Sequence, residues 1–148
     1  MLHEIYMQRA LELARRGWGT TNPNPLVGAV IVKNGEIIGE GYHKKPGEPH
    51  AEINALAQAG KKSEGSTLYV NLEPCSHFGR TAPCTDTLIK AGIKEVVIAM
   101  QDPNPEVSGK GIKKLKQAGI KVIEGILEEE AKKLNEIFIK YITSKMPF

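Results

Sequence analysis

An α/β layer fold with a mixed five-stranded sheet is what this sequence predicts, and three observations predict it. Two apolar runs, VGAVIV and IIGEGY, flank KNGE, a strong hairpin-turn signal. After His50, short β-branched runs alternate with helix-forming stretches, the pattern of parallel strands joined by helical crossovers. The 148 residues suit one compact domain and are short for two.

The elements follow in order. Leu2, Ile5, Tyr6, Ala10 and Leu13 have helical spacing, and the stretch stops near Gly17, as a helix should. NPNP, residues 22–25, is a proline-broken turn into the first strand, and the hairpin follows. PGEPHAEINALAQAG begins with proline and an acid and continues with helix formers, so a helix starts close to His50. STLYVNL reads as a short buried strand, TDTLIKAGI as a helix, EVVIAM as a strand, SGKGIKKLKQAGI as a helix and KVIEGI as a strand. LEEEAKKLNEIFIKYITSK is a long amphipathic helix with its acids early and its lysines later, which suits the helix dipole. The strands after the first hairpin are expected to be parallel.

Composition excludes several classes. A net charge of +3 is mild, and the lysines of residues 110–121 and 132–145 are interleaved with apolar positions, with Glu136 among the second group. That argues against a nucleic-acid partner, which calls for a concentrated basic face; a phosphorylated small molecule is compatible. No apolar run approaches the roughly 18 residues of a membrane span. The first sixteen residues mix charge through their apolar positions, unlike a secretory leader. A cytoplasmic protein with neither membrane nor nucleic-acid partner is expected. There a disulfide between Cys75 and Cys84 is not expected, and metal binding or catalysis accounts better for the two thiols.

Zinc needs three or four nitrogen and sulfur donors around one point. The candidates are Cys75, Cys84, His3, His43, His50 and His77. His50 opens a predicted helix, Cys75 follows a predicted strand, and Cys84 opens another helix, so three donors lie at element ends. Sites in α/β folds form there, and helix N-termini favour the thiolate that a metal requires. Three protein ligands leave a fourth position for water, whose pKa zinc lowers toward about 7. Glu52, two residues after His50, is placed to move the proton. Residues two apart do not share a helix face, so the metal is expected off the helix tip. His-x-Glu alone is common by chance. His-Ala-Glu opening a helix, then Glu-Pro-Cys after a strand, then Pro-Cys before a helix is far more specific.

That order resembles the signature of the zinc nucleoside and nucleobase deaminases, H-x-E followed by P-C-x-x-C, with eight residues instead of two between the cysteines. EPCSHFGRTAPC, NPNPLVGAV, GYHKKPGEPHAE and DPNPEVSGKGI together are similar to one branch, the deaminase domain of the bifunctional riboflavin-biosynthesis enzymes. The resemblance covers nearly the whole chain. It implies a three-layer αβα cytidine-deaminase-like fold over residues 1–145, with residues 146–148 the start of a C-terminal reductase domain that is absent here. It implies one zinc ion per chain on His50, Cys75 and Cys84, with Glu52 as the catalytic proton shuttle. Substrate contacts are implied at Asn24, His43, His77, Arg80 and Thr81, and Asp102 and Asn104 are weaker candidates.

The implied reaction is hydrolytic deamination of a phosphorylated pyrimidine, 2,5-diamino-6-(5-phosphoribosylamino)pyrimidin-4(3H)-one. Arg80 offers a planar fork of donors to a phosphate. His77 suits a phosphate or a ring carbonyl, and its rival role is a fourth zinc ligand. NADPH belongs to a reductase domain, fused or separate, and none is expected on this chain. The superfamily implies a homo-oligomer. Two alternatives stay open. A transfer-RNA or free-base deaminase calls for the two-residue cysteine gap, and a structural zinc module has no use for Glu52. His3 is expected at the surface, Trp18 in packing, and GKGIKK at a helix start with a solvated basic face.

Overall fold

The computed structural model describes residues 2–18, 25–44, 48–76 and 83–144, with side chains through 137. Along the chain run α1 (Leu2–Arg15), β1 (Gly28–Lys33), β2 (Glu36–Tyr42), α2 (Ala51–Ala59), β3 (Thr67–Leu72), α3 (Cys84–Lys90), β4 (Glu95–Met100), α4 (Lys110–Gln117), β5 (Lys121–Glu124) and α5 (Glu128–Ser144). A 3-10 turn at Gly60–Ser63, which the sequence patterns do not announce, ends the α2 segment.

The strands form one sheet in the order β2-β1-β3-β4-β5. β1 is antiparallel to both β2 and β3, whereas β3, β4 and β5 are mutually parallel. The expected hairpin is present. Asn34 and Gly35, with φ of 53° and 77°, supply the left-handed pair that such a tight turn needs. The expectation of parallel strands after it holds from β3 onward, but β3 enters the sheet antiparallel, beside β1 and not beside β2.

Strand alternation splits the core into two layers. Val30, Val32, Tyr69 and Val97 face α1 and α5, packing with Met7, Leu11, Ala131 and Leu134. Ala29, Ile31, Leu68, Val70, Val96 and Ile98 face α2, α3 and α4, packing with Ala51, Ala55, Leu88, Ile112 and Leu115. This is the three-layer αβα arrangement. β2 carries glycine at positions 39 and 41 because α2 lies directly on it. A Cβ at Gly41 would meet the Ala51 carbonyl, and one at Gly39 the Ala55 carbonyl.

The reversed direction of β1 decides where a site can form. Its first residue pairs with Tyr42 at the end of β2, and Ala29 pairs with Val70 near the end of β3. Leu72 in turn pairs with Met100 at the end of β4. The loops entering β1 and leaving β2, β3 and β4 therefore gather at one edge of the sheet, together with the N-terminal tips of α2 and α3. Among the described residues, no helix is long and apolar enough to cross a membrane.

Candidate active site

His50 is the N-cap of α2, with extended backbone (φ −68°, ψ 165°) and no side-chain bond to its own helix. Its imidazole is thus turned off the helix tip. The helix start is tied to the sheet by Asn54, whose Nδ2 donates to the carbonyls of Tyr42 at 3.0 Å and Pro49 at 3.3 Å. Cys84 is the first residue of α3 and is buried. Its backbone N–H donates to Cys75 Sγ at 3.2 Å, and the Thr85 N–H donates to the Cys75 carbonyl at 3.2 Å. The tip of α3 therefore pins both ends of Cys75, which lies three residues beyond β3.

These tethers converge. His50 Nδ1 lies 3.2 Å from Cys84 Sγ and 4.0 Å from Cys75 Sγ. All three donor atoms lie within 4.8 Å of one another. Tetrahedral bonds of about 2.1 Å to nitrogen and about 2.3 Å to sulfur put ligand atoms roughly 3.6 Å apart, and the two His50 distances bracket that spacing. Both cysteines are free thiols. One imidazole and two sulfurs at this separation fit zinc, with a position left open.

The charges agree with that reading. The Cys84 thiol, then the His50 side chain and the Cys84 N–H, hold Cys75 down to about 4, against the opposing effect of burial. Cys84 is pushed far up, first by sharing its proton with Cys75 and then by burial. The two sulfurs thus share a proton, and the pair gives up its first proton more readily than a lone thiol would. His50 is raised chiefly by its hydrogen bond with Cys75, against the opposing effect of burial.

Glu52 stands two residues into α2 and is 3% exposed. Burial pushes its carboxyl up to about 7, with its own backbone N–H working against the shift. Its Oε1 has no hydrogen-bond partner among the described residues. A buried polar atom left unpaired costs about 1–3 kcal/mol, so an orphan oxygen beside a metal-binding donor set marks a place reserved for a ligand.

Glu52, His50 and Cys75 line a cleft of about 210 Å³ with Pro25, Val27, His43, Leu72, Glu73 and Asp102. That is below the roughly 300–1,000 Å³ of sites for drug-sized molecules, and it suits a single ring. His43 is buried and donates Nδ1–H to the Pro49 carbonyl at 3.4 Å. Burial holds its imidazole below the ordinary histidine value, keeping it neutral. It meets His50 edge-on, at 5.3 Å between ring centres.

The structure brings together six of the residues singled out from sequence: His43, His50, Glu52, Cys75, Cys84 and Asp102. Asn104 is exposed and builds its own loop, its Oδ1 accepting the Glu106 N–H at 3.0 Å while its N–H donates to Asp102 Oδ1 at 2.9 Å. Asn24, His77, Arg80 and Thr81 lie outside the described residues. His3, expected at the surface, is half-buried and shares a 2.7 Å hydrogen bond with the Tyr69 hydroxyl. Sequence reasoning missed two buried residues at the end of β3, Asn71 and Glu73. Asn71 Oδ1 accepts the Gly28 N–H at 2.9 Å and its Nδ2 donates to the Leu26 carbonyl at 3.0 Å, fixing the loop that carries Pro25 and Val27. The signal was available in NLEPC, because polar residues directly continuing an apolar strand need buried partners.

Residues 1–100 match the model of the cytidine and deoxycytidylate deaminase zinc-binding region. A diaminohydroxyphosphoribosylamino-pyrimidine deaminase from Buchnera aphidicola subsp. Schizaphis graminum is 53% identical, over 99% of this chain and 100% of its own length. This chain belongs to the diaminohydroxyphosphoribosylamino-pyrimidine deaminase family, within the cytidine and deoxycytidylate deaminases. Riboflavin biosynthesis protein RibD of Aquifex aeolicus is 60% identical over 100% of this chain, which covers 42% of that protein. Acinetobacter baumannii RibD superimposes with a TM-score of 0.90 at 55% identity, over 99% of this chain and 41% of its own. The chain thus spans about two fifths of the length of these RibD relatives. Membership in the family agrees with the eight-residue cysteine gap, and the superposition with the cytidine-deaminase-like layering expected from sequence.

Proposed function

We propose that this chain is a zinc-dependent deaminase of riboflavin biosynthesis. It hydrolyses the 2-amino group of 2,5-diamino-6-(5-phosphoribosylamino)pyrimidin-4(3H)-one, giving 5-amino-6-(5-phosphoribosylamino)uracil and ammonia. One observation carries the reading: the buried Glu52, with its unpartnered Oε1, beside the His50, Cys75 and Cys84 donor set in a ring-sized cleft. Identity over the full length of the Buchnera protein supports the choice of substrate.

His50 through Nδ1, with Cys75 and Cys84 through their sulfurs, would hold the metal. When bound, zinc supplies the Lewis acidity that makes water a nucleophile near neutral pH. Glu52 takes a proton from the attacking water and delivers it to the ring nitrogen beside the amine-bearing carbon. It then carries the proton of the added hydroxyl to the amine, which leaves as ammonia. The carboxylate returns to its starting state, so one group serves as base and then as acid. Burial of Glu52 keeps bulk water out of both transfers. His43 and Asp102 line the wall of the cleft, and Asn24, His77, Arg80 and Thr81, with Asn104 as a weaker candidate, are assigned to substrate contacts, Arg80 to the phosphate and His77 to the phosphate or a ring carbonyl.

Residues 1–145 constitute the deaminase domain in this reading. A reductase domain, fused or separate and using NADPH, consumes the product. The protein acts in the cytoplasm as a homo-oligomer, without membrane or nucleic-acid partners.

The test is ammonia release from purified, zinc-loaded protein. The panel is the phosphorylated diaminopyrimidinone, its dephosphorylated form, cytosine, guanine and an adenosine-bearing RNA, with Glu52→Gln as control. Turnover of the phosphorylated pyrimidine alone, lost in the control, is the expected result. Turnover of a free base or of RNA overturns the substrate assignment. Absence of turnover on every member overturns the enzymatic reading in favour of a structural zinc module.

A further inference from the structure

Glu73 sits between the end of β3 and Pro74-Cys75, is 6% exposed, and has no part in the chemistry above. Its carboxylate accepts four backbone N–H groups. Oε1 takes those of Asp102 and Gly109, each at 3.0 Å. Oε2 takes those of Gly111 at 2.8 Å and Ile112 at 3.2 Å. Gly109 is the N-cap of α4, and the next residues form its first turn. Those donors have no partner within the helix, and the positive end of the helix dipole favours an anion. Gly111 lets the tip settle onto the carboxylate, since a Cβ there would strike the Pro74 carbonyl. The anion that the GKGI stretch cradles is thus a side chain of the protein itself.

The consequence reaches the cleft. Glu73 also donates its own N–H to the Met100 carbonyl at 3.0 Å, so it clasps the end of β4 and the loop beyond it. That loop carries Asp102, a cleft-lining residue whose Oδ1 is occupied in shaping the same turn. The partners of the Glu73 carboxylate lie beyond β4 and at the tip of α4, on none of the segments that carry His50, Glu52, Cys75 and Cys84.

We infer that Glu73 is a positioning residue for substrate capture: by binding the Asp102, Gly109, Gly111 and Ile112 N–H groups it fixes the segment from Asp102 to Ile112 and so holds Asp102 in the wall of the cleft. The inference deepens the proposed function and rests on it for the identity of the substrate. Glu73→Gln keeps the shape, but its amino group then faces two N–H donors. A charged-acceptor bond lost to each of them loosens the wall without touching the metal donors.

The experiment compares wild type, Glu73→Gln, Glu73→Asp, Asp102→Ala and the Glu73→Gln/Asp102→Ala double variant. Steady-state kinetics, zinc content and amide hydrogen exchange are measured on each. Glu73→Gln is expected to raise KM by about tenfold or more while kcat stays within about threefold. Zinc stays at one per chain, and the Asp102 and Gly109 amides exchange at least about tenfold faster. The double variant is expected to show the KM of Asp102→Ala alone, because the two changes act on one wall. Glu73→Asp retains the charge with a shorter reach and falls between; if the Gln variant does not fold, Glu73→Asp carries the same comparisons. An unchanged KM, a loss of zinc with a parallel fall in kcat, or additive effects overturns the inference. If the wild type does not turn over the pyrimidine, the functional reading fails, and the exchange rates still decide whether Glu73 holds the wall.

Discussion

Arg9 of α1 grips Glu40 of β2 with two parallel bonds, Nε to Oε2 at 2.6 Å and Nη2 to Oε1 at 3.1 Å. The pair ties the first helix to the edge strand. The Arg9 guanidinium holds the Glu40 carboxyl below its ordinary value, against the opposing effect of burial. The sign follows from linkage: a carboxyl with a depressed folded-state pKa stabilises the fold above its unfolded pKa, near 4.3, and loses that contribution as pH falls through the folded value. Both side chains are partly exposed, 32% and 25%, so the pair is worth about 0.5–1 kcal/mol after solvent screening. Urea unfolding of Glu40→Gln against wild type should therefore show that deficit at pH 7 and a smaller one at pH 3, below the unfolded value. An equal deficit at both pH values would show that packing, not charge, holds the contact.

Zinc should also act as a structural clasp, because the three donors that would hold it come from the tip of α2, the exit of β3 and the tip of α3. A ligand at a thousandfold excess over its Kd stabilises by about 4 kcal/mol. For a domain of this size each kcal/mol shifts Tm by about 2–4 °C. Chelation should lower Tm by about 8–16 °C, reversed by adding zinc back. Cys75→Ala should start near the chelated value and respond to neither treatment. The same zinc response in Cys75→Ala would remove that sulfur from the ligand set.

What could be read from the sequence was what is written locally. The Asn34-Gly35 turn, the alternation in VGAVIV, and the His50, Glu52, Cys75 and Cys84 motifs each declare themselves within a few residues. What escaped is held by long-range side-chain contacts. Asn71 serves backbone groups 43 and 45 residues away, and Glu73 serves others 29 to 39 residues away. His3 reads as a surface residue because its partner, Tyr69, is 66 residues distant. The antiparallel entry of β3 beside β1 escaped for a related reason. Strand periodicity reports which residues face inward, but not which neighbour a strand chooses.

The close approach of α2 to β2 gives a further prediction. A Cβ at Gly41 would meet the Ala51 carbonyl, between His50 and Glu52, whereas one at Gly39 would meet the Ala55 carbonyl, a turn further from the site. Overpacking of this kind costs about 1–3 kcal/mol. Gly39→Ala and Gly41→Ala should destabilise to a similar degree in urea. Only Gly41→Ala should also weaken zinc binding and slow turnover, since it alone displaces Ala51, the residue that joins His50 to Glu52. Equal effects on zinc affinity would mean that α2 shifts as a rigid body.

Asn71 separates hydrogen bonding from mere polarity. It donates to the Leu26 carbonyl and accepts from the Gly28 N–H inside the core. Asn71→Ala leaves both groups unsatisfied, at about 1–3 kcal/mol each. Asn71→Asp retains the acceptor for Gly28 but sets an oxygen against the Leu26 carbonyl and, if ionised, buries a charge. The aspartate variant should therefore be no more stable than the alanine one, despite being nearly isosteric with the native residue. Both should raise KM more than they lower kcat, because the loop they release carries Pro25 and Val27 into the cleft. Denaturation midpoints and kinetics on the two variants check this together. An aspartate variant within about 0.5 kcal/mol of wild type, inside the scatter of ordinary surface changes, would mean that the Leu26 bond contributes nothing and that Gly28 alone anchors the loop.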